Sequence, residues 1–266
     1  MTQVATGTTP PDAAALPITR TPFSRLLHVE LRKLMDTRAG KWLLVAIGAV
    51  TVAAVIIFLF AGSPANLTYA HFVNATGTPE GLLLPVLAIL AVTSEWSQRT
   101  GLVTFTLEPN RQRVIAAKLA AVVLLGVAAI VFALGMAALA NLLGEAIRSG
   151  AGSWAFGLSD LRDVAIEQFM GMIQGFGFGM LFMNSAASIV LYYILPTVSS
   201  IVFNLVTWLR DHLAMWVDLG TTAAPLRDHT MAGNDWAHLA VAVVIWIAIP
   251  FAIGLTRVLR GELKSS

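Results

Sequence analysis

The sequence predicts an all-α integral membrane protein. Of its 266 residues, 57% are hydrophobic and only 12% are charged, and the mean hydropathy is +0.76. Soluble domains usually carry about 25% charged residues. Several apolar runs reach the length of about 20 residues that a helix needs to cross a hydrocarbon core of about 30 Å. Long helices of a soluble protein keep a polar face, which argues against that class.

The apolar runs place six transmembrane helices. The first run contains no charge, and the third is long enough to project beyond the bilayer, where Lys118 can extend its ammonium to the interface. The second is predicted to start at Thr78-Pro79-Glu80, because a Thr N-cap, a Pro at the first helical position and an early acid all favour a helix start. Pro85 is expected to kink it. The predicted spans are 42–60, 79–94, 114–143, 167–184, 187–209 and 237–256.

The fourth and fifth spans come from one uncharged region, Gln168–Leu209. A single helix of that length would measure about 63 Å, twice the membrane thickness, so the region is predicted to be a hairpin. Its turn is placed at the polar cluster that runs from Asn184 to Ser188. This turn carries no basic residue, and the sequence is therefore also compatible with four or five spans.

Basic residues predict the orientation, because Lys and Arg concentrate on the cytoplasmic side. With six spans, the side that holds both termini receives most of them, and the other side receives only Arg148, Arg162, Arg210 and Arg227. Both termini are therefore predicted to be cytoplasmic, in a multi-pass protein of the plasma membrane, specifically a bacterial inner membrane. No nucleic-acid partner is predicted.

The N-terminal segment divides into two parts. Residues 1–21 lack the apolar stretch of a signal peptide and are predicted to be a disordered cytoplasmic tail. Residues 22–38 place apolar side chains on one helical stripe and cations opposite, which predicts an amphipathic helix lying in the inner interface. A simple positively charged flank of the first span is the alternative. Residues 22–266 would then form one transmembrane domain.

Known sites of enzymatic chemistry are missing from the sequence. It contains no G-x-x-x-x-G-K-[ST] phosphate-binding loop, no H-E-x-x-H, no G-x-S-x-G and no cysteine. No metal site is predicted, and the histidines of residues 211–238 are interpreted as loop residues. Energy for any uphill transport would have to come from a partner or an ion gradient.

A charged island at 94–118 separates two long apolar runs. Glu95 and Arg99 are spaced as a favourable i,i+4 pair, and Arg111 and Arg113 follow a Pro-Asn turn. Such a loop at a membrane face predicts contact with another protein. In the fourth span, Gly171, Gly175 and Gly179 recur every four residues, a spacing typical of close helix packing; a substrate-lining groove is the alternative.

Two segments carry a family resemblance. They are Arg25-Leu-Leu-His-Val-Glu30-Leu-Arg-Lys33, and Glu95-Trp-Ser-Gln-Arg99-Thr100-Gly101 followed by Glu108-Pro-Asn-Arg111-Gln-Arg113 and Lys118. Both resemble the permease subunits of type-2 ATP-binding-cassette (ABC) exporters. The resemblance implies six spans, an interfacial elbow helix, and a loop between spans two and three that contacts an ATPase.

The same resemblance implies the partners and the coupling residues. A second permease chain, giving a homodimer, and two ATPase subunits would complete the complex, with ATP and Mg²⁺ on the ATPase and no cofactor on this chain. The residues implied in ATPase coupling are Glu30, Lys33, Glu95, Arg99, Thr100, Glu108, Arg111, Arg113 and Lys118.

The function expected from the sequence is therefore that of an exporter permease, not an enzyme. Its mostly apolar spans favour an amphipathic or lipid-like cargo. A secondary transporter is the first alternative, and it would need an acidic residue at mid-membrane, which none of the predicted spans offers. An intramembrane enzyme would need converging acidic or histidine groups there. A non-catalytic membrane anchor or assembly subunit is the third alternative.

Overall fold

The computed structural model of the chain describes residues 21–97 and 110–260. Within those two ranges every element of regular secondary structure is a helix, and there is no strand. The longer helices are α1 (Phe23–Asp36), α2 (Arg38–Ala61), α3 (Tyr69–Ser97), α4 (Arg111–Arg148), α5 (Leu158–Phe182) and α6 (Ser185–Leu205). They are followed by the short helices α7 (Thr207–His212), α8 (Ala214–Val217), α9 (Leu219–Thr222) and α10 (Ala224–Arg227), then α11 (Asp235–Val243) and α12 (Ile249–Arg260).

Five of these helical segments are long and apolar enough to cross a membrane. They are α2, α3, α4, α6 and the segment 235–260, in which a π-helical stretch, Val244–Ala248, joins α11 to α12. The predicted fourth span corresponds to α5, which is not among the five. Asp160, Arg162, Asp163 and Glu167 give the first half of α5 a polar character.

Helix α5 nevertheless lies at the centre of the bundle. It packs most extensively on α3 and on α12, and Met172, Phe176 and Met180 along it are almost completely buried. In its polar first half Asp163 and Gln168 are buried against other helices, whereas Arg162 is exposed.

The chain reverses between α5 and α6 at the place predicted from the sequence. Met183 ends α5 in a left-handed conformation (φ 50°), and the Asn184 side chain caps α6 by accepting a hydrogen bond from the Ala187 backbone N–H at 3.0 Å. The Ser188 hydroxyl donates to the Phe178 carbonyl at 3.2 Å, which joins the two helices.

The start predicted for the second span is wrong. Helix α3 begins at Tyr69, ten residues before Pro79, and the Thr68 hydroxyl accepts a hydrogen bond from the His71 N–H at its start. Both Pro79 and Pro85 lie inside the helix.

Neighbouring helices hold α3 close to both prolines. The Gln168 amide of α5 donates to the Gly77 carbonyl at 3.0 Å, and the Tyr193 hydroxyl of α6 donates to the Leu82 carbonyl. The carbonyls that Pro79 and Pro85 deprive of a backbone donor are those of Ala75 and Gly81, so these contacts fasten α3 beside the prolines and do not replace the missing bonds. The helix continues through both prolines, in a sequence that locally favours a helix start.

The end of the bundle opposite α1 is covered by the short helices α7–α10. The buried Asp218 carboxylate accepts hydrogen bonds from the Thr221 backbone N–H at 3.0 Å and from the Ser200 hydroxyl at 3.2 Å. The Trp246 indole of the π-helical stretch donates to the Val217 carbonyl at 2.8 Å.

Close packing of α5 against α3 gives a first testable prediction. A Cβ on Gly175 would lie 2.6 Å from the Pro85 carbonyl oxygen, whereas a Cβ on Gly48 of α2 would meet nothing within 4 Å. We expect Gly175→Ala to lower the apparent melting temperature in detergent, because backbone must move. The control Gly48→Ala is expected to be neutral or stabilising by up to about 1 kcal/mol, since Ala has the better helix propensity. Equal melting temperatures for the two variants would contradict this packing.

Candidate functional site

Helix α1 brings two charged side chains to the bundle. It lies against α2 and α4, and its apolar stripe enters the core through Leu34 and, less deeply, Leu27 and Leu31. The chain then turns at Thr37, whose hydroxyl accepts from the Gly40 N–H and starts α2. With its apolar side held in this way, α1 directs Glu30, only 5% exposed, and Lys33 toward the ends of α3 and α4.

Two carboxylates and two ammonium groups form a closed ring there. The Lys33 ammonium lies 2.8 Å from Glu30 Oε1 and 2.9 Å from Glu95 Oε1. The Lys118 ammonium lies 2.6 Å from Glu30 Oε2 and 3.1 Å from Glu95 Oε1. Each cation therefore bridges the same two anions, and the ring, which we call the ion ring, is neutral as a whole.

Burial makes the ion ring energetically important. The side chains of Glu30, Glu95 and Lys118 are 7%, 3% and 4% exposed, and only Lys33 reaches solvent, at 35%. Burial lowers the pKa of Lys33, but the negative charges of Glu95 and Glu30 and their hydrogen bonds outweigh it and hold that pKa above its ordinary value. Removal of one member would leave a buried charge without its counter-charge.

The ion ring joins three helices. Glu30 and Lys33 belong to α1, Glu95 lies near the end of α3, and Lys118 lies two turns into α4. Because α3 ends before residues 98–109 and α4 begins after them, the ring fixes the two helix ends that flank this segment. It also ties both to α1, more than sixty residues away in sequence.

Two arginines make a second set of connections at the same end. Arg111 donates to the Val258 carbonyl of α12 at 3.0 Å, and Arg113 donates to the Thr21 carbonyl before α1 at 2.6 Å. The beginning of α4 is thus joined to the end of α12 and to the beginning of α1. Both arginines carry contacts within the chain itself.

Of the nine residues implied in ATPase coupling, the structure brings four together in the ion ring: Glu30, Lys33, Glu95 and Lys118. Lys118 was expected to extend toward the interface, but it is buried because both carboxylates attract its ammonium inward. Arg99, Thr100 and Glu108 lie outside the described residues, so the predicted Glu95–Arg99 pair stays a prediction. The predicted tail 1–21 lies outside them too, except for Thr21.

The three glycines of α5 lie against neighbouring helices. A Cβ on Gly179 would lie 3.2 Å from the Ile89 carbonyl oxygen of α3, and one on Gly171 would lie 3.3 Å from both the Pro85 ring and the Tyr192 hydroxyl. With Gly175 between them, they form a stripe that allows α3 to approach closely. At Gly171 this stripe also borders a cavity.

Sequence reasoning missed Glu80. The helix start predicted at Thr78-Pro79-Glu80 placed this residue in a first turn, whereas α3 extends back to Tyr69 and Glu80 lies in its interior, 1% exposed. Its carboxylate makes no hydrogen bond or ion pair with any residue that the structure describes. The misplaced helix start had hidden this residue, because Glu80 then appeared to be an ordinary acid in a first turn.

Sequence reasoning also missed a cavity between α3, α5, α6 and the short helices, lined among others by Glu167, Gln174, Tyr192 and Arg227. The available signal was Glu167, the last charge before the uncharged run that begins at Gln168.

The contacts at this end of the bundle join helices through charged side chains. The ion ring couples three helices through charges that cannot separate cheaply. The chain matches no protein-family model and no curated protein.

The ion ring gives a second prediction. We expect Lys118→Met to destabilise the protein by about 3–5 kcal/mol, because two buried carboxylates would share one ammonium. The double variant Glu30→Gln with Lys118→Met restores neutrality and should recover part of that loss. Unfolding in a graded detergent mixture, followed by tryptophan fluorescence, measures both.

A surface ion pair on α1 provides the control. Arg32 and Asp36 lie 3.5 Å apart with side chains 66% and 67% exposed, and exposed pairs contribute about 0–1 kcal/mol. Arg32→Met should therefore change little. If Lys118→Met lowered the free energy of unfolding no more than Arg32→Met does, the ion ring would not stabilise the fold.

Proposed function

We propose that this chain is the permease subunit of an ABC exporter of the plasma membrane, in which a separate ATPase supplies the energy. The complex would contain two copies of this permease and two ATPase subunits, with ATP and Mg²⁺ bound on the ATPase. The chain itself would supply the path through the membrane and the surface on which the ATPase acts.

The ion ring is the observation that carries the proposal. An external subunit can move membrane helices only if the segment that it touches is rigidly connected to them. The segment 98–109, part of the charged island that the family resemblance implies in ATPase contact, is flanked by α3 and α4. The ring fixes these helices to each other and to α1 through contacts of 2.6–3.1 Å. A push on this segment or on α1 would therefore be passed to both long helices.

The helix order also supports the proposal. The five apolar segments together with α5 form a run of six long helices, and α1 precedes the first of them, as an elbow helix would. In this proposal α5 is the fourth span, with Asp163 and Gln168 of its polar first half buried within the bundle, and both termini lie in the cytoplasm.

Glu80 favours a second candidate function, a proton-coupled or cation-coupled transporter. A buried carboxyl group inside a membrane helix is a functional candidate by default, and Glu80 occupies that position in α3. The residue could bind and release a proton as the helices rearrange. The ABC exporter is preferred because the ion ring connects α1, α3 and α4 at the end of the bundle where an ATPase is proposed to act. The Glu80 carboxylate, by contrast, makes no polar contact with the described residues.

A purification experiment tests the proposed partner. The tagged chain expressed alone should release no phosphate from ATP, because it has no phosphate-binding loop. When purified from its own membranes in mild detergent, it should carry a stoichiometric ATPase whose phosphate release is inhibited by vanadate. The chain purified from foreign membranes is the control for contaminating ATPases.

A transport assay in proteoliposomes tests the proton-coupled transporter. In proteoliposomes that contain this chain alone, an imposed pH gradient should not drive uptake of the amphipathic dye rhodamine 6G. Dye uptake that is driven by the gradient and abolished by Glu80→Gln would reject the ABC exporter and support the proton-coupled transporter.

Cysteine labelling tests the orientation. The chain has no native cysteine, and Gln112 at the beginning of α4 and Ser159 at the beginning of α5 are both exposed. In intact cells, a membrane-impermeant maleimide should label Ser159→Cys and spare Gln112→Cys, which should react only after permeabilisation. The reverse pattern would place the ion ring outside the cell and exclude an ATPase contact there.

A further inference from the structure

Two adjoining cavities, each of about 500 Å³, lie in the half of the bundle away from the ion ring. Gly81, Leu82, Glu167 and Arg227 line both of them. The Glu167 carboxylate and the Arg227 guanidinium are 3.7 Å apart at this shared wall. We call the pair of cavities the double cavity. Its size falls in the range of about 300–1,000 Å³ that is usual for small-molecule sites.

The first chamber is mostly apolar and aromatic. Met170, Pro196 and Ile201 line it together with Tyr192 and Tyr193, whose rings meet edge to face with centroids 4.8 Å apart. Aromatic faces of this kind attract cations as well as apolar groups.

Unsatisfied amide groups border both chambers. The Gln174 side chain lines the first chamber, is 3% exposed, and its amide nitrogen has no hydrogen-bond partner in the described structure. The Gln168 side chain lines the second chamber and is also 3% exposed, and its amide oxygen has no hydrogen-bond partner among the described residues. Buried amides normally find partners, so each is a polar atom beside the cavity wall whose partner is not among the described residues.

Charge selects the kind of ligand. The walls of the double cavity carry two carboxylates, Glu167 and Asp228, against one cation, Arg227, when histidine is counted as neutral. The excess is therefore one negative charge.

The shared ion pair is also replaceable. At 3.7 Å the Glu167–Arg227 contact is longer than a direct hydrogen bond. Arg227 is 46% exposed and donates independently to the Gly220 carbonyl at 2.9 Å. A ligand cation could thus take the place of Arg227 at Glu167 while Arg227 keeps another partner.

We propose that the double cavity binds a cationic amphiphile, with its charged group at Glu167 and its apolar body between Met170 and the Tyr192–Tyr193 pair. This inference rests on the proposed transport function for its meaning, because the ligand would be the cargo, but its binding requires no ATPase. It narrows the expected amphipathic cargo to molecules of positive charge.

Two ions of the same shape and opposite charge test the proposal. The purified chain in lipid nanodiscs is dialysed against radiolabelled tetraphenylphosphonium, and binding to empty nanodiscs is subtracted. Saturable binding is expected, and tetraphenylborate, equal in shape but anionic, should fail to compete for the site. Equal competition by the two ions, or binding no greater than to empty nanodiscs, would overturn the proposal.

Three variants locate the site. Glu167→Gln should weaken tetraphenylphosphonium binding by about tenfold, because it removes the partly buried counter-charge. Arg227→Gln should strengthen binding, because it removes the competing cation, and this variant decides the question if Glu167→Gln does not fold. The matched control Glu145→Gln changes an exposed carboxylate on α4 and should bind as wild type. Wild-type binding by both Glu167→Gln and Arg227→Gln would refute the site.

The result is independent of the exporter proposal. Cation binding without a copurifying ATPase would support the cation site and reject the ABC exporter. A copurifying ATPase without cation binding would support the ABC exporter and reject the cation site.

Discussion

The neutral ring of Glu30, Lys33, Glu95 and Lys118 holds one end of the bundle in place. Each ammonium contacts both carboxylates. If one member moved away, the ring would hold an uncompensated charge in an apolar environment. This constraint fixes the distance between α3 and α4 and the position of α1 across them. The contacts of Arg111 with α12 and of Arg113 with the segment before α1 extend the same connection.

A different interaction organises the centre. Helix α5 approaches α3 closely because Gly171, Gly175 and Gly179 face it, and it approaches α12 where Gly177 meets Phe251 and Gly254. Dispersion contacts between such closely packed backbones stabilise helices within a bilayer, where apolar burial contributes little. This packing buries Asp163 and Gln168 of α5, and it allows Glu167 and Gln168 to line the double cavity.

Helix α3 connects the two regions. Glu95 at its end belongs to the ion ring, and Gly81 and Leu82 near its middle line the double cavity. Between them lies Pro85, and side-chain donors from α5 and α6 contact carbonyls beside the two prolines. A continuous helix with locally weakened backbone bonding is suited to bend there. Any movement imposed on the ring end would therefore reach the cavity through α3.

The sequence alone indicated an all-helical chain with several apolar helices of membrane-spanning length, the approximate positions of most long helices and the reversal at Asn184, because apolar length, helical periodicity and capping residues are local properties. Only the tertiary structure decided where α3 begins, since contacts with α5 and α6 hold the helix around Pro79 and Pro85. It also decided which cations Glu95 meets, that Glu80 is buried, and that Glu167 and Arg227 face each other across a cavity. These features depend on packing between distant segments, and uniformly apolar helices do not reveal from their sequences which of their faces will meet.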